Sequence, residues 1–241
     1  MRIQDLSIEP EFDLHWQMSH CERLALIGLL KRLEPGLSIE VGTSMGGSLQ
    51  ALSKYSKKVI SVDIDPVVAS RLGSRFPNVA FQTGDSRKLL PSVIDRINQE
   101  EADLGFVLID GDHRTEGVRR DIESVLRLVP RRPIVVIMHD SFNPSCRAGM
   151  RLADWSASPY VHEVELDFVL GVFFSEAADQ AAAGSMWGGL ACALLDPERR
   201  TGALIIQESQ QQMFEAVWRV SAHAPVSVLR RIMRRVRRLV S

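Results

Sequence analysis

The sequence predicts one doubly wound α/β domain built on a mostly parallel sheet. Three observations carry that expectation. Five short apolar runs alternate with helical patterns through the first 140 residues, the rhythm of strand–helix crossovers. Two of the runs, "LGFVLI" and "PIVVIM", are apolar at consecutive positions, as strands covered on both faces are. Four of the five runs are followed at once by Gly, Asp or His, and in an open parallel sheet the carboxyl ends of the strands are where ligands bind.

The elements follow in order. "CERLALIGLLKRL" reads as a helix that Pro35-Gly36 ends, and "LSIEV" follows as a strand. "SLQALSKY" is a short helix, "KVISV" a strand and "PVVASRL" a helix. "VAFQ" is the third strand, "RKLLPSVIDRI" a helix and "LGFVLI" the fourth strand. Val118, Ile122, Val125, Leu126 and Val129 share one helical face. "PIVVIM" is the fifth strand. Beyond residue 140 the rhythm changes. "NPSCRAGMRLADWSASPY" reads as a loop-rich insertion, and "VHEVELDFVLGVFF" as a strand. "LACALLDPERRTGALII" reads as a hairpin turning at "DPERRTG", and "EAVWRV" as a helix. The segment "AADQAAAGS" reads as a flexible loop. Residues 1–224 would form the domain, and 225–241 a separate basic amphipathic helix.

Composition narrows the function classes. The chain has 241 residues, 45% hydrophobic and 24% charged, with a net charge of −1, ordinary for a globular protein with a sizeable core. No apolar run approaches a membrane span, and the first residues do not read as a signal peptide. Three cysteines without a CxxC pair favour a reducing cytosol over a disulfide framework or a structural zinc site. The tail 225–241 holds six arginines and no acid, so the body is acidic and no nucleic-acid partner is expected.

The chemistry sits at the strand ends. "LSIEV" opens into "GTSMGGS", where Gly42, Gly46 and Gly47 permit tight turning and close approach to a ligand. The spacing is not the dinucleotide fingerprint G-x-G-x-x-G, which argues against a nicotinamide dehydrogenase. Asp63 ends the second strand, where an acid can accept hydrogen bonds from ribose hydroxyls. Asp65 before Pro66 already caps the next helix, which leaves Asp63 for a ligand. At the third strand end, Asp85 is the candidate for an adenine amino group, and Ser86 either joins it or caps the following helix. "VLIDGDH" and "VVIMHDS" run buried strands into Asp110, Asp112 and His113, and into His139 and Asp140. Desolvated charges of this kind need compensation. An open crevice supplies it, and so does a bound cation.

In this order, "IEVGTSMGGS", "VISVDID", "TGDS", "VLIDGDH" and "IVVIMHDS" resemble the class I S-adenosylmethionine-dependent methyltransferases. They resemble in particular the branch of cephalosporin-hydroxylase-like proteins and metal-dependent sugar O-methyltransferases. The resemblance covers about residues 20–142. It implies a Rossmann-like methyltransferase fold with a seven-stranded, mostly parallel sheet and C-terminal antiparallel strands. It implies that Glu40, Gly42, Thr43, Gly46, Gly47 and Asp63 hold the methionine and ribose parts of S-adenosylmethionine, with Asp85 and Ser86 near adenine. It also implies a divalent metal, magnesium or manganese, on Asp110, His139 and Asp140. The departure is His139, where the pattern has a second acid. Imidazole suits a transition ion better than magnesium, and His139 could instead orient water or substrate in a metal-free site.

The expected reaction is O-methylation of a saccharide or glycosylated metabolite. His113 is the candidate general base, since its ordinary pKa suits that work, and Asp112 is its rival. Both could equally be loop groups capping the helix after them. The alternatives are methylation of a catechol or phenol, and a non-catalytic S-adenosylmethionine-binding partner subunit. Trp16, Trp155 and Tyr160 read as aromatic anchors of loops. The tail pattern of Leu229, Ile232, Met233, Val236, Leu239 and Val240 against six arginines fits a docked terminal helix or peripheral membrane contact. The expected location is cytoplasmic, with the tail offering contact to the inner face of the membrane. Homo-oligomerisation stays open.

Overall fold

The structure, a computed structural model, describes residues 11–178 and 181–224. The basic tail 225–241 lies outside the described residues. Among those described, no helix is long and apolar enough to cross a membrane.

The first half follows the sequence closely. Helix α1 (His20–Leu33) starts with a capping box, in which Ser19 and Glu22 satisfy each other's backbone N–H. Then come β1 (Leu37–Val41), α2 (Gly47–Tyr55), β2 (Lys58–Asp63), α3 (Pro66–Leu72) and β3 (Val79–Thr83). Asp65 caps α3 and Pro66 occupies its first position. Helix α4 (Ser86–Gln99), β4 (Leu104–Ile109), α5 (Thr115–Val125) and β5 (Ile134–His139) complete the regular alternation. All six residues of β4 and all six of β5 are buried. Alternate residues feed two cores: Val107, Ile109, Val136 and Met138 meet α4, α5 and α6. Phe106, Leu108 and Ile137 meet α1 and α2 on the other face.

The second half departs from expectation in three places. "NPSCRAGMRL" is not loop but helix α6 (Pro144–Leu152), because Asn143 accepts from Ser145 N and Cys146 N just before Pro144. "VHEVELDFVLGVFF" divides into β6 (Val161–Val169) and β7 (Val172–Phe174), which pairs with β8 (Ser185–Trp187) as a small antiparallel ribbon. The expected hairpin between β9 (Leu190–Leu195) and β10 (Ile205–Gln207) does not form. Instead β10 joins β6 in parallel at the sheet edge. The chain ends its described part with α7 (Gln211–Val220).

The main sheet has the order β10-β6-β9-β5-β4-β1-β2-β3. It therefore holds eight strands where seven were expected, the eighth being β10. Strand β9 pairs antiparallel with both β5 and β6, and every other neighbour pair is parallel. This is a Rossmann-like methyltransferase fold. The strand order reverses between β1 and β4, so the crevice opens beyond their carboxyl ends.

Candidate active site

A cleft of about 550 Å³ lies at this reversal. Its walls include Gly42, Thr43, Gly47 and Asp63 at one end, and Asp110, Asp112 and His113 at the other. Asp85 and Ser86, after β3, line it too, and Trp16 comes from the segment before α1.

The glycine loop is shaped by its neighbours. Gly42 has φ 86°, and a Cβ there would stand 2.0 Å from the Asp110 carbonyl oxygen. The loop must therefore be bare where β4 ends beside it. At Gly47 a Cβ would stand 2.5 Å from the His15 carbonyl oxygen, so this glycine admits the chain's own N-terminal segment. Helix α2 has no side-chain cap. Its first N–H groups are thus the kind of donors that hold a ligand carboxylate.

Asp63 is not idle, as the sequence suggests. Its Oδ2 accepts from Thr43 N and Ser44 N, both at 2.8 Å, and its Oδ1 accepts from Asp65 N at 2.8 Å. The carboxylate staples the glycine loop to the end of β2, and its remaining lone pairs can face ribose hydroxyls. Glu40 lies under the loop, fully buried and outside the cleft wall. It accepts from the Thr43 and Ser48 hydroxyls at 2.7 and 2.6 Å. Burial pushes its carboxyl up to about 7, against those two hydrogen bonds. Its position makes it a support for the loop.

Asp85 caps α4 by accepting from Arg87 N at 3.0 Å, and it pairs with the Arg87 guanidinium. That pair holds its carboxyl at about 2. Ser86 is the first residue of the helix, not its cap. Asp112 behaves in the same way: it accepts from Arg114 N at 2.9 Å and pairs with the Arg114 guanidinium at 2.6 Å. The Arg114 hydrogen bond lowers its pKa, which makes Asp112 a poor proton acceptor.

The second cluster is denser than its sequence motifs suggest. His139 is buried, with Nδ1 3.0 Å from Asp110 Oδ1 and 3.7 Å from Asp140 Oδ2. Its Nε2 stands 3.0 Å from Glu22 Oε1. His113 Nε2 stands 3.4 Å from Asp110 Oδ1 and 3.3 Å from Asp140 Oδ2. Three carboxylates thus meet two imidazoles. Burial opposes charge on His139, but Asp110 and Asp140 and the hydrogen bonds to Asp110 and Glu22 raise its pKa well above the ordinary value. Burial would raise Asp110 too, and the two histidines overcome it and hold that acid at about 2. Asp140 takes φ 59°, a left-handed conformation uncommon outside glycine, and Gly188 N donates to its Oδ1 at 2.6 Å. Such backbone gathers at functional sites.

Asp110, His139 and Asp140 form a group whose ligand atoms lie within 4.8 Å of one another. Two carboxylate oxygens and one imidazole nitrogen suit a divalent cation, so the residues present fit a metal. His139 and Asp140 lie behind the cleft wall, and Asp110 links them to it.

Several members of the site escape sequence reading. Glu22 sits in α1, 117 residues from His139 in the chain. Gly189 N also donates to its Oε1 at 2.6 Å. Trp187 meets His113 edge to face, with ring centroids 5.6 Å apart. The Gly188-Gly189 doublet between two strands is the one sequence signal of this tight closure. Trp155 is buried with Nε1 donating to Met150 O, an anchor away from the cleft.

Residues 39–141 match the family model described as a methyltransferase domain, over less than half of the chain. No curated protein matches the sequence. Among solved structures, the O-methyltransferase from Bacillus cereus in complex with SAH is 18% identical. The match covers 78% of this chain and 84% of that one at a TM-score of 0.53. The O-methyltransferase TomG from Streptomyces achromogenes, involved in tomaymycin synthesis and solved with SAM, is 16% identical. There the coverage is 78% and 83%, with a TM-score of 0.54. At these identities the likeness is one of fold. The glycine loop, the acid at the end of β2 and the strand order thus agree with the methyltransferase-domain match over residues 39–141.

Proposed function

We propose that the protein moves a methyl group from S-adenosylmethionine to a hydroxyl oxygen, and that the acceptor is a saccharide or glycosylated metabolite. One observation carries the reading: a single cleft joins the loop stapled by Asp63 to the Asp110 and His113 end of the site. The open N-terminus of α2 would hold the methionine carboxylate and Asp63 the ribose, with Asp110 and His113 on the acceptor side. The acceptor oxygen attacks the methyl carbon in line; the new O–C bond forms as the C–S bond breaks, leaving S-adenosylhomocysteine. A divalent cation on Asp110, His139 and Asp140 would polarise the acceptor hydroxyl and make it more acidic. Of the two candidate bases, Asp112 is tied to Arg114, which leaves His113 on the acceptor side. Trp16, in the cleft wall, would offer an aromatic surface for a sugar ring.

The test is methyl transfer from labelled S-adenosylmethionine to fractionated cell glycans and metabolites, with and without EDTA. Label on a saccharide fraction, lost with EDTA, is expected. Label only on phenolic compounds would move the acceptor class, and transfer indifferent to EDTA would remove the cation.

A further inference from the structure

We infer that His113 is a fourth metal ligand, and that the site takes a borderline divalent cation such as manganese, cobalt or zinc in preference to magnesium. The inference rests on the metal in the proposed function and assigns this chain's residues to it. His113 Nε2 approaches two oxygens, Asp110 Oδ1 at 3.4 Å and Asp140 Oδ2 at 3.3 Å. These are the same two oxygens nearest His139 Nδ1, at 3.0 and 3.7 Å. Donors bound to one ion at about 2.0–2.2 Å and about 90–110° apart are separated by about 3.0–3.6 Å. The four contacts fall in or next to that range; His113 stands outside the tighter group of Asp110, His139 and Asp140 and would complete it from the cleft side.

The remaining nitrogen of His139 supports the same reading. Its Nε2 meets Glu22 Oε1 at 3.0 Å, and Glu22 is itself fixed by Ser19 N at 2.6 Å and Gly189 N at 2.6 Å. A buried carboxylate that accepts a hydrogen bond from Nε2–H leaves Nδ1 as the lone-pair nitrogen aimed at Asp110 and Asp140. This is how carboxylates behind a metal-binding histidine orient it. Only 5% of the His139 side chain and 2% of the Glu22 side chain are exposed, so the pair is built into the core. His113 is half-exposed beside Trp187, free to close on a cation from the cleft side. Two imidazoles and two carboxylates favour nitrogen-seeking ions over magnesium, which prefers oxygen and retained water. Bound to the cation, His113 would give up the role of free base kept for it above, and the acceptor hydroxyl, made more acidic by the metal, would lose its proton to solvent.

The experiment is titration of the chelator-stripped protein with Co²⁺, Mn²⁺ and Mg²⁺ by calorimetry, with the visible spectrum of Co²⁺ recorded. S-adenosylhomocysteine binding is measured on the same samples. Co²⁺ and Mn²⁺ should bind at least about tenfold more tightly than Mg²⁺. His113→Ala should weaken Co²⁺ about 10–100-fold and change its spectrum. Glu22→Gln should weaken it about tenfold, with the spectrum kept. Unchanged Co²⁺ affinity and spectrum in His113→Ala, with S-adenosylhomocysteine binding intact, would overturn the ligand assignment. Equal affinity for Mg²⁺ would overturn the selectivity. A wild-type protein that binds S-adenosylhomocysteine but no cation would remove the metal and this inference, and leave methyl transfer standing.

Discussion

Glu40 shows how much of the site depends on single side chains beneath it. Its carboxyl is fully buried and held by two hydroxyls, yet burial still lifts it to about 7. The folded state therefore binds this proton more tightly than the unfolded chain, whose group titrates near 4.5. Its stabilising contribution is full below about pH 4.5 and is lost as the pH rises through about 7. Glu40→Gln should flatten that slope and stabilise the protein at pH 8 by up to about 3 kcal/mol. Denaturant unfolding of both proteins at pH 5 and pH 8 checks it; a variant equally weakened at both would refute the titration. At this scale the sequence identifies many of the acids that matter but not their partners. Asp85 and Asp112 look like free ligands until Arg87 and Arg114, two residues on, are seen to occupy them. Glu22 reads only as one residue of a helix, because the partners of its Oε1 lie over a hundred positions away.

Elements are legible where their signals are local. The first five strands and their helices follow from alternation and from caps such as Asp65-Pro66. The same kind of signal, Asn143-Pro144, opens α6, but the turn residues and aromatics around it favour a loop reading. Strand β10 is harder: its three residues are all exposed, and its pairing with β6 is set by contacts that no short pattern encodes. What fixes this region is a buried ion cluster. Arg147, 1% exposed, forks onto Asp167 at 2.7 and 3.0 Å and reaches Glu208 at 2.7 Å. The Phe214 ring of α7 lies 4.4 Å from its guanidinium carbon. Removing one partner of such a pair leaves a buried charge exposed to no solvent. Asp167→Ala should therefore cost about 3–5 kcal/mol, read as a lower denaturation midpoint. A loss under about 1 kcal/mol would mean that Glu208 alone satisfies the arginine.

At the scale of the molecule, the main sheet carries separate apolar cores on its two faces, and the thiols report on that packing. Cys146 is buried and Cys192 half-buried; burial raises the first well above the ordinary thiol value and pushes the second up to about 12. Cys21 is exposed. A thiol reagent at neutral pH should label one cysteine in the native protein and three after unfolding. Two or more native labels would show that β9 or α6 opens readily. The central strands were legible because each ligand-bearing end follows its own apolar run. The acceptor-side closure by Gly188 and Gly189 was not, since it depends on β9 returning beside β5.

The central claim is that this cleft holds S-adenosylmethionine by the glycine loop and Asp63. Calorimetric titration of wild-type protein and Asp63→Ala with S-adenosylhomocysteine tests it most directly. The cleft and its glycine loop predict one site per wild-type chain. A loss of about 1.5–3 kcal/mol is expected in the folded variant, or about 10–150-fold in Kd. No binding to the wild type, or equal affinity in the variant, would contradict it.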